Sequence, residues 1–320
     1  MFENKSDIAP YLAEAGFGSF SATVEALCVP AVCFEDRLGR AAAQFGGLPD
    51  VRADFVWPQR DAYPHGRQLA DKLRRGPDMD DAFTRPIPLD FLCQIDLGRV
   101  AETGALGDRL PPEGQLLFFW DGTCGPWIES ALSARVIWDR TPTRDLVTIS
   151  APQTLADHLA DVGRMGFRRM TRATPLPVWS MPDRFLMQDL IADKAVEAEL
   201  TGDGADDFWD HVMDAGLGRL TSGRAVLPHR LGGWPITEQW DPRYTAAAAS
   251  HDYLRLFDRM PTDAERAACE VETHDWTMLL QVSLADLGTD YAEGTVYFVM
   301  RKADLTARDF SHVHAIYQQT

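Results

Sequence analysis

Two glutamines, Gln94 and Gln281, sit in matching strand-like runs, LCQIDL at 92–97 and LLQVSL at 279–284. An uncharged amide offers both donors and an acceptor, which suits binding and orientation better than proton transfer. Asp96 follows Gln94 by two positions and would share its face of a strand, where the second run has Ser283. A carboxylate in one run alone would supply a general base; the competing reading is a solvated surface acid. Trp57, Trp234 and Trp240 lie in or near two Gly-Gly-x-Pro segments and would line a cleft or fill a core. Gln94, Asp96, Gln281, Trp57, Trp234 and Trp240 therefore make up one candidate pocket.

The histidines suggest a different chemistry. In SHVH at 311–314, His312 and His314 would project to one face of a strand and share a metal, with His274 or His229 as a distant third ligand. A hydrogen-bonded or exposed pair is the alternative, and no complete ligand set is visible, so no metal and no cofactor are expected. Acids cluster as Asp78, Asp80 and Asp81 in GPDMDDAF and as Asp203, Asp206, Asp207 and Asp210 in GDGADDFWD. A calcium loop starting at Asp203 would have Ala205 at its third position and Phe208 where glycine is required. These acids read as solvated loop and helix-start residues, with Asp78, Asp80, Asp81, Asp203, Asp206 and Asp207 the candidates for meeting a partner. Phosphate-cradling loops, the G-x-S-x-G elbow and H-E-x-x-H are all missing. The chain is expected to bind rather than catalyse; an enzyme or small-molecule binder with a pocket between repeats is the runner-up.

The elements that must hold these residues come in two copies. FGGLP at 45–49 and LGGWP at 231–235 begin parallel series: LCQIDL then GQLLFFWD at 114–121, and LLQVSL then GTVYFVMR at 294–301. Gly46 and Gly232, Gln94 and Gln281, and Gly114 and Gly294 fall in the same order at nearly constant spacing. Paired glycines give access to positive φ, and the later proline fixes its own. Extended runs precede each turn, EALCVPAVCF at 25–34 and RAVLPH at 224–229. Period-two patterning puts Phe91, Cys93, Ile95 and Leu97 on one face, and Met278, Leu280, Val282 and Leu284 on its counterpart. Helices are expected over QTLADHLADVG, over 183–200, over ADDFWDHVMDAGLG, and over TDAERAACE, which opens with the Thr262–Glu265 spacing of a capping box. The result is a β-rich α+β chain, internally duplicated: an N-terminal repeat over 1–140, a helical and irregular connector over 141–223 and a C-terminal repeat over 224–320, packed as one unit.

Composition narrows the partners. The net charge is −17 over 320 residues, and both halves are acidic, so neither nucleic acid nor an anionic membrane is expected. A basic protein partner is electrostatically favoured. Five cysteines without a C-x-x-C pair, and an opening MFENKSDIAP without a continuous apolar stretch, make the cytoplasm the expected compartment.

Taken in order, FGGLP with the downstream FVWP, PLDFLCQIDL, LPPEGQLLFF, HRLGGWP, DWTMLLQVSL and GTVYFVMRKADLTARDFSHV resemble the YwqG-like family, a domain of unknown function (DUF1963). The resemblance runs from about residue 25 to the carboxyl terminus and is loosest over 122–225. It implies a bacterial, cytoplasmic, β-rich α+β protein without an established activity. It also implies genes that accompany toxin and secretion genes, hence an immunity-type or partner-binding role. No catalytic residue carries over. Where family members often have Trp-Gly-Asp before the glycine of the last strand, this chain has TDYAEG at 289–294.

Overall fold

The structure is a computed structural model that describes residues 1–320 apart from 37–40, 75, 203–204, 215–219, 252–260, 286, 289–292 and 320. Runs rich in Val, Ile, Phe and Trp form ten strands of one antiparallel sheet. They are β1 (Val29–Glu35), β2 (Ala43–Phe45), β3 (Asp90–Asp96), β4 (Gln115–Trp120), β5 (Ala134–Asp139), β6 (Thr171–Ser180), β7 (His229–Gly232), β8 (Trp276–Ser283), β9 (Thr295–Arg301) and β10 (His314–Gln318). The helices are α1 (Ile8–Glu14), α2 (Ser21–Leu27), α3 (Gly66–Leu73), α4 (Pro77–Thr84), α5 (Leu97–Ala101), α6 (Gln153–Asp161), α7 (Arg184–Leu190), α8 (Lys194–Thr201), α9 (Asp206–Asp214), α10 (Pro242–Ser250), α11 (Asp263–Thr273) and α12 (Lys302–Ala307).

The spatial order is β10-β9-β8-β7-β1-β6-β2-β3-β4-β5. Each half is thus a four-strand meander, with β1 and β6 between the two. The strand before the first meander, β1, pairs with β7 of the second; β6, which precedes the second meander, pairs with β2 of the first. The sheet curls until its ends approach, and the amide of Ala315 donates to Ser130 O at 3.4 Å. Phe118 and Phe298, from opposite halves, meet edge to face with centroids 5.0 Å apart in the interior. Val32, Phe34, Phe45, Cys93, Ile95, Leu116, Leu280, Val282 and Val296 fill the same core.

The two Gly-Gly turns have closely similar backbones. Gly46 and Gly47 have φ of 68° and 79°; Gly232 and Gly233 have 67° and 76°. Both long strands also carry an irregularity at the same place, between Phe91 and Cys93 and between Met278 and Leu280. Each β-bulge adds one residue and flips the pattern behind it. Leu92 and Leu279 turn into the core, while Phe91 and Met278 join apolar clusters on the outer face. The expected four-residue faces beginning at Phe91 and Met278 are therefore corrected to begin after the bulge.

Three other expectations change. Glu25–Leu27, read as extended, end α2. Residues 183–200 form two helices, because Asp193 leaves helical geometry and its carboxylate caps α8 through the amides of Ala195 and Val196. The segment read as a helical and irregular connector contains β6, the longest strand, despite Pro175 and Pro177. Proline is tolerated because β2 pairs only with 171–173. Ala173 O faces β2, so the missing N–H groups at 175 and 177 point the same way, past the end of β2. The capping box at Thr262 and Glu265 forms as expected at the start of α11.

Outer faces are covered differently. Ala246, Ala247 and Ala248 of α10 lie against Tyr297, Val299 and Ile316 of the second half. Phe55, Trp57, Phe91 and Phe119 cover the first. A separate apolar cluster joins α1 and α2 to α7, α8 and α9. No helix of the described residues is long and apolar enough to cross a membrane.

Candidate functional site

A groove of about 830 Å³ opens beside the junction of β1 and β7. One wall is the loop 104–109 that follows α5; the other is built from Gly233, Trp234, Arg243 of α10, the start of β8, and α12. Both halves therefore contribute. Leu106, Trp276 and Met278 are buried and give the groove an apolar floor. Trp234 is fixed from three directions. Its amide donates to Ser180 Oγ at 2.7 Å, its indole donates to Leu27 O at 2.8 Å, and the Arg243 guanidinium lies 4.8 Å over its ring. Arg243 is itself paired with Asp241 at 2.7 Å. The indole nitrogen of Trp276, on the floor, has no hydrogen-bond acceptor among the described residues.

The rim is cationic. Arg109, Lys302 and Arg308 line the groove, are exposed, and have no ion-pair partner among the described residues. Asp108 is the one carboxylate among the described lining residues. Arg308 closes α12 in the left-handed region, with φ of 57°. Glycine is the usual occupant of such a position, and a side chain there costs about 1 kcal/mol. In a chain of net charge −17, this grouping is locally opposite to the whole.

A second groove, about 910 Å³, lies in the first half and contains Gln94, Asp96, Asp50, Gln115, Arg99, Arg140 and Arg172. Its polar groups are largely occupied by the fold. Gln94 Oε1 accepts from the amide of Asp50 at 2.8 Å, and Asp96 caps α5 by accepting from the amide of Arg99 at 3.1 Å. A third polar cluster is sealed beneath α3 and α4. Arg60 Nε donates to Asp121 Oδ2 at 2.5 Å, and the Tyr63 hydroxyl donates to the same oxygen at 2.7 Å. The amides of Thr123 and Cys124 donate to the other oxygen. Arg85 meets His158 Nδ1 at 3.1 Å while Thr123 Oγ1 meets Nε2 at 2.9 Å, and burial lowers the His158 pKa. Burial next to Asp121 pushes the Asp90 carboxyl up to about 8. Sequence patterns gave no sign of this cluster: Arg60 and Asp121 come from distant segments without a motif.

The family model for a domain of unknown function, DUF1963, matches residues 43–318. The chain belongs to the DUF1963 family. No curated protein matches it.

Within this DUF1963 chain the residues singled out from the sequence do not converge. Gln94 and Gln281 lie in β3 and β8, with four strands between them. Each accepts from the amide four residues after the first turn glycine of its half, Asp50 for Gln94 and Ile236 for Gln281, the latter at 2.9 Å. They are turn anchors, and four strands of the sheet separate them. Trp57 donates to Leu89 O and packs on Phe119, so it belongs to the outer core. Trp240 is half exposed and donates to Thr245 Oγ1. Of the six, Trp234 lines the groove between halves, while Gln94 and Asp96 line the second groove.

His312 and His314 do not share a face. His312 lies in the turn before β10, exposed and 3.9 Å from Asp309, whereas His314 is buried with its ring against Trp276 at 4.9 Å. Burial pulls the His314 pKa down to about 4 and that of His229, stacked on Phe45 at 3.9 Å, to about 3. His274 is exposed at the end of α11. Among the described residues no group of three or more His, Cys, Asp or Glu side chains is placed to hold a metal. Asp78 and Asp80 lie in the first turn of α4, with Asp81 following; Asp206 and Asp207 begin α9, where Asp206 pairs with Arg184 at 2.9 Å. Asp203 and most of the TDYAEG loop, residues 289–292, lie outside the described residues.

Proposed function

We propose that the protein is a non-catalytic binding protein whose site is the groove at the junction of the two half-sheets. The observation that carries this reading is the groove's composition. It joins an apolar floor, a fixed tryptophan and three cations without ion-pair partners among the described residues, which are binding groups. Its described lining offers no cysteine, histidine or serine as a nucleophile. The Arg60–Asp121 cluster, which does hold a carboxylate, an imidazole and a phenol, is buried and internally bonded, a poor place for substrate.

The halves are proposed to descend from one duplicated unit. Matching φ angles at the glycine pairs, matching bulges, and glutamines holding equivalent amides support that origin. Duplication bears on function because it creates a seam, and the groove lies along that seam. A basic protein partner is a second reading, favoured by the exposure of Asp78 and Asp81 on α4 and of Asp207 at the start of α9.

Hydrogen exchange separates the two readings. The full chain is measured alone and with fractionated extract of its native cell. Protection centred on 104–109, 276–278 and 302–308 is expected. Protection centred on α4 and α9, weakening as salt is added, would transfer the function to the acidic surface. Turnover of any extract component that survives Trp234→Phe but not Asp121→Asn would overturn the non-catalytic reading.

A further inference from the structure

We infer that the groove takes a small organic anion, one with a phosphate or carboxylate head and an apolar body. This rests on the groove being the binding site, as proposed above. Three observations carry it beyond that reading. The first is charge: Arg109 from the first half and Lys302 and Arg308 from the second present positive groups around one opening, without ion-pair partners among the described residues, on a chain whose net charge is −17. Two guanidinium forks and one ammonium suit a multivalent oxyanion, because each oxygen then accepts a charge-assisted hydrogen bond. The second is the backbone at Arg308. Its left-handed conformation favours glycine, so an arginine there is held against local preference at the edge of the groove it lines. The third is the floor. Leu106, Trp276 and Met278 supply apolar surface.

The volume sets the size of the occupant. About 830 Å³ lies within the range of small-molecule sites. An inorganic ion alone would leave the floor uncovered, and a neutral apolar molecule would leave three cations with Asp108 as the one carboxylate among the described lining residues.

Phenyl phosphate, inorganic phosphate and phenol are the probes. Each is titrated into the full chain at low salt, with calorimetry for affinity and the indole N–H resonance of Trp276, assigned through Trp276→Phe, for location. Phenyl phosphate is expected to bind most tightly and to move that resonance, with affinity falling as salt rises. Arg109→Gln, Lys302→Gln and Arg308→Gln should each weaken binding by roughly tenfold, the loss of one charge-assisted hydrogen bond. Arg308→Gly is the discriminating variant. It should raise the melting temperature by relieving the left-handed strain while weakening phenyl phosphate as much as Arg308→Gln does. The inference is overturned if phenol binds as tightly as phenyl phosphate, or if the triple glutamine variant binds phenyl phosphate unchanged. In either case exchange protection at 104–109 and 302–308 by a native ligand would leave the groove itself standing. If no probe moves the Trp276 resonance and no extract protects those segments, inference and groove fall together.

Discussion

The two halves hold the same turn with different side chains. In the first, the neutral amide of Gln44 donates to Gly46 O at 3.2 Å and Leu48 O at 2.7 Å. In the second, the same register position carries Arg230, whose guanidinium donates to Trp234 O at 2.9 Å. Gln44 pairs across the sheet with Gln94 and Arg230 with Gln281. What each turn requires is a donor for one carbonyl and an acceptor for one amide, and several side chains satisfy that. Arg230 is 3% exposed, its Nε has no partner among the described residues, and burial lowers its pKa. The geometry is held in common; the electrostatics are not. The same contrast separates the two grooves, one with carboxylates already engaged by backbone or side-chain donors and one with cations that have no ion-pair partner among the described residues.

The largest expected difference between the halves lies in the turn glycines. A Cβ on Gly46 would stand 2.1 Å from the carbonyl oxygen of Arg169, whereas one on Gly232 would meet only the flexible end of Leu106 at 3.1 Å. Gly46→Ala should cost at least about 3 kcal/mol and Gly232→Ala about 1 kcal/mol, the latter from positive φ alone. At the second glycine the order reverses, since Gly233 faces Ala31 Cβ at 2.6 Å and Gly47 faces the Met170 side chain at 3.0 Å. Urea titration of the four alanine variants measures this. Equal losses at Gly46 and Gly232 would show that crowding does not distinguish the turns.

A second difference, of intermediate size, concerns pH. Asp90 in the first half has a folded pKa of about 8 against 3.8 unperturbed, so the folded state retains a proton that the unfolded chain releases. Its contribution is fully present below about pH 4 and is lost as pH rises toward 8. His229 and His314 in the second half have the opposite sign. Their folded pKa values of about 3 and about 4 lie below 6.5, so the stability they contribute is present above about pH 6.5 and lost as pH falls through that window. Asp90→Asn should therefore flatten the decline on the alkaline side, and His314→Gln the decline on the acid side. Urea midpoints from pH 4 to 8 test both; an unchanged profile for Asp90→Asn would place that carboxyl in contact with water.

The smallest expected effect comes from giving the second half the residue of the first. Arg230→Gln keeps a donor for Trp234 O and removes a buried charge that has no bonded carboxylate among the described residues. It should leave stability unchanged or raise it by about 1 kcal/mol. A loss above about 2 kcal/mol in a thermal melt would mean that the guanidinium holds more of the second half than its one carbonyl contact indicates.

How far the sequence revealed this molecule depends on what kind of order each part has. The long strands were legible because apolar residues alternate within them, and the paired turns because two glycines and a proline restrict φ in opposite ways. The bulges were hidden, since one added residue leaves composition intact while reversing the faces of Phe91 and Met278. Pro175 and Pro177 concealed β6, as the absence of a neighbour beyond β2 is a property of the assembled sheet. Gln94 and Gln281 were correctly placed on the polar side of their strands, but their partners are backbone amides. The groove was illegible for a simpler reason: Arg109, Trp234, Lys302 and Arg308 come from separate segments, and only the junction of the halves brings them together.

The exchange of β1 and β6 has a consequence for synthesis of the chain. Ala31 faces Gly232, and Thr171 faces Phe45, so each meander borrows its inner neighbour from a strand on the far side of the other's connection. The first meander can form its own ladders early, yet its open edge is capped only when β6 emerges, and β1 has no partner on its second side until β7 follows. Pairings so distant along the chain are slow to form because loop closure must precede them. A nascent chain stalled before residue 170 would expose the edge of β2, a template for pairing with a second copy of itself.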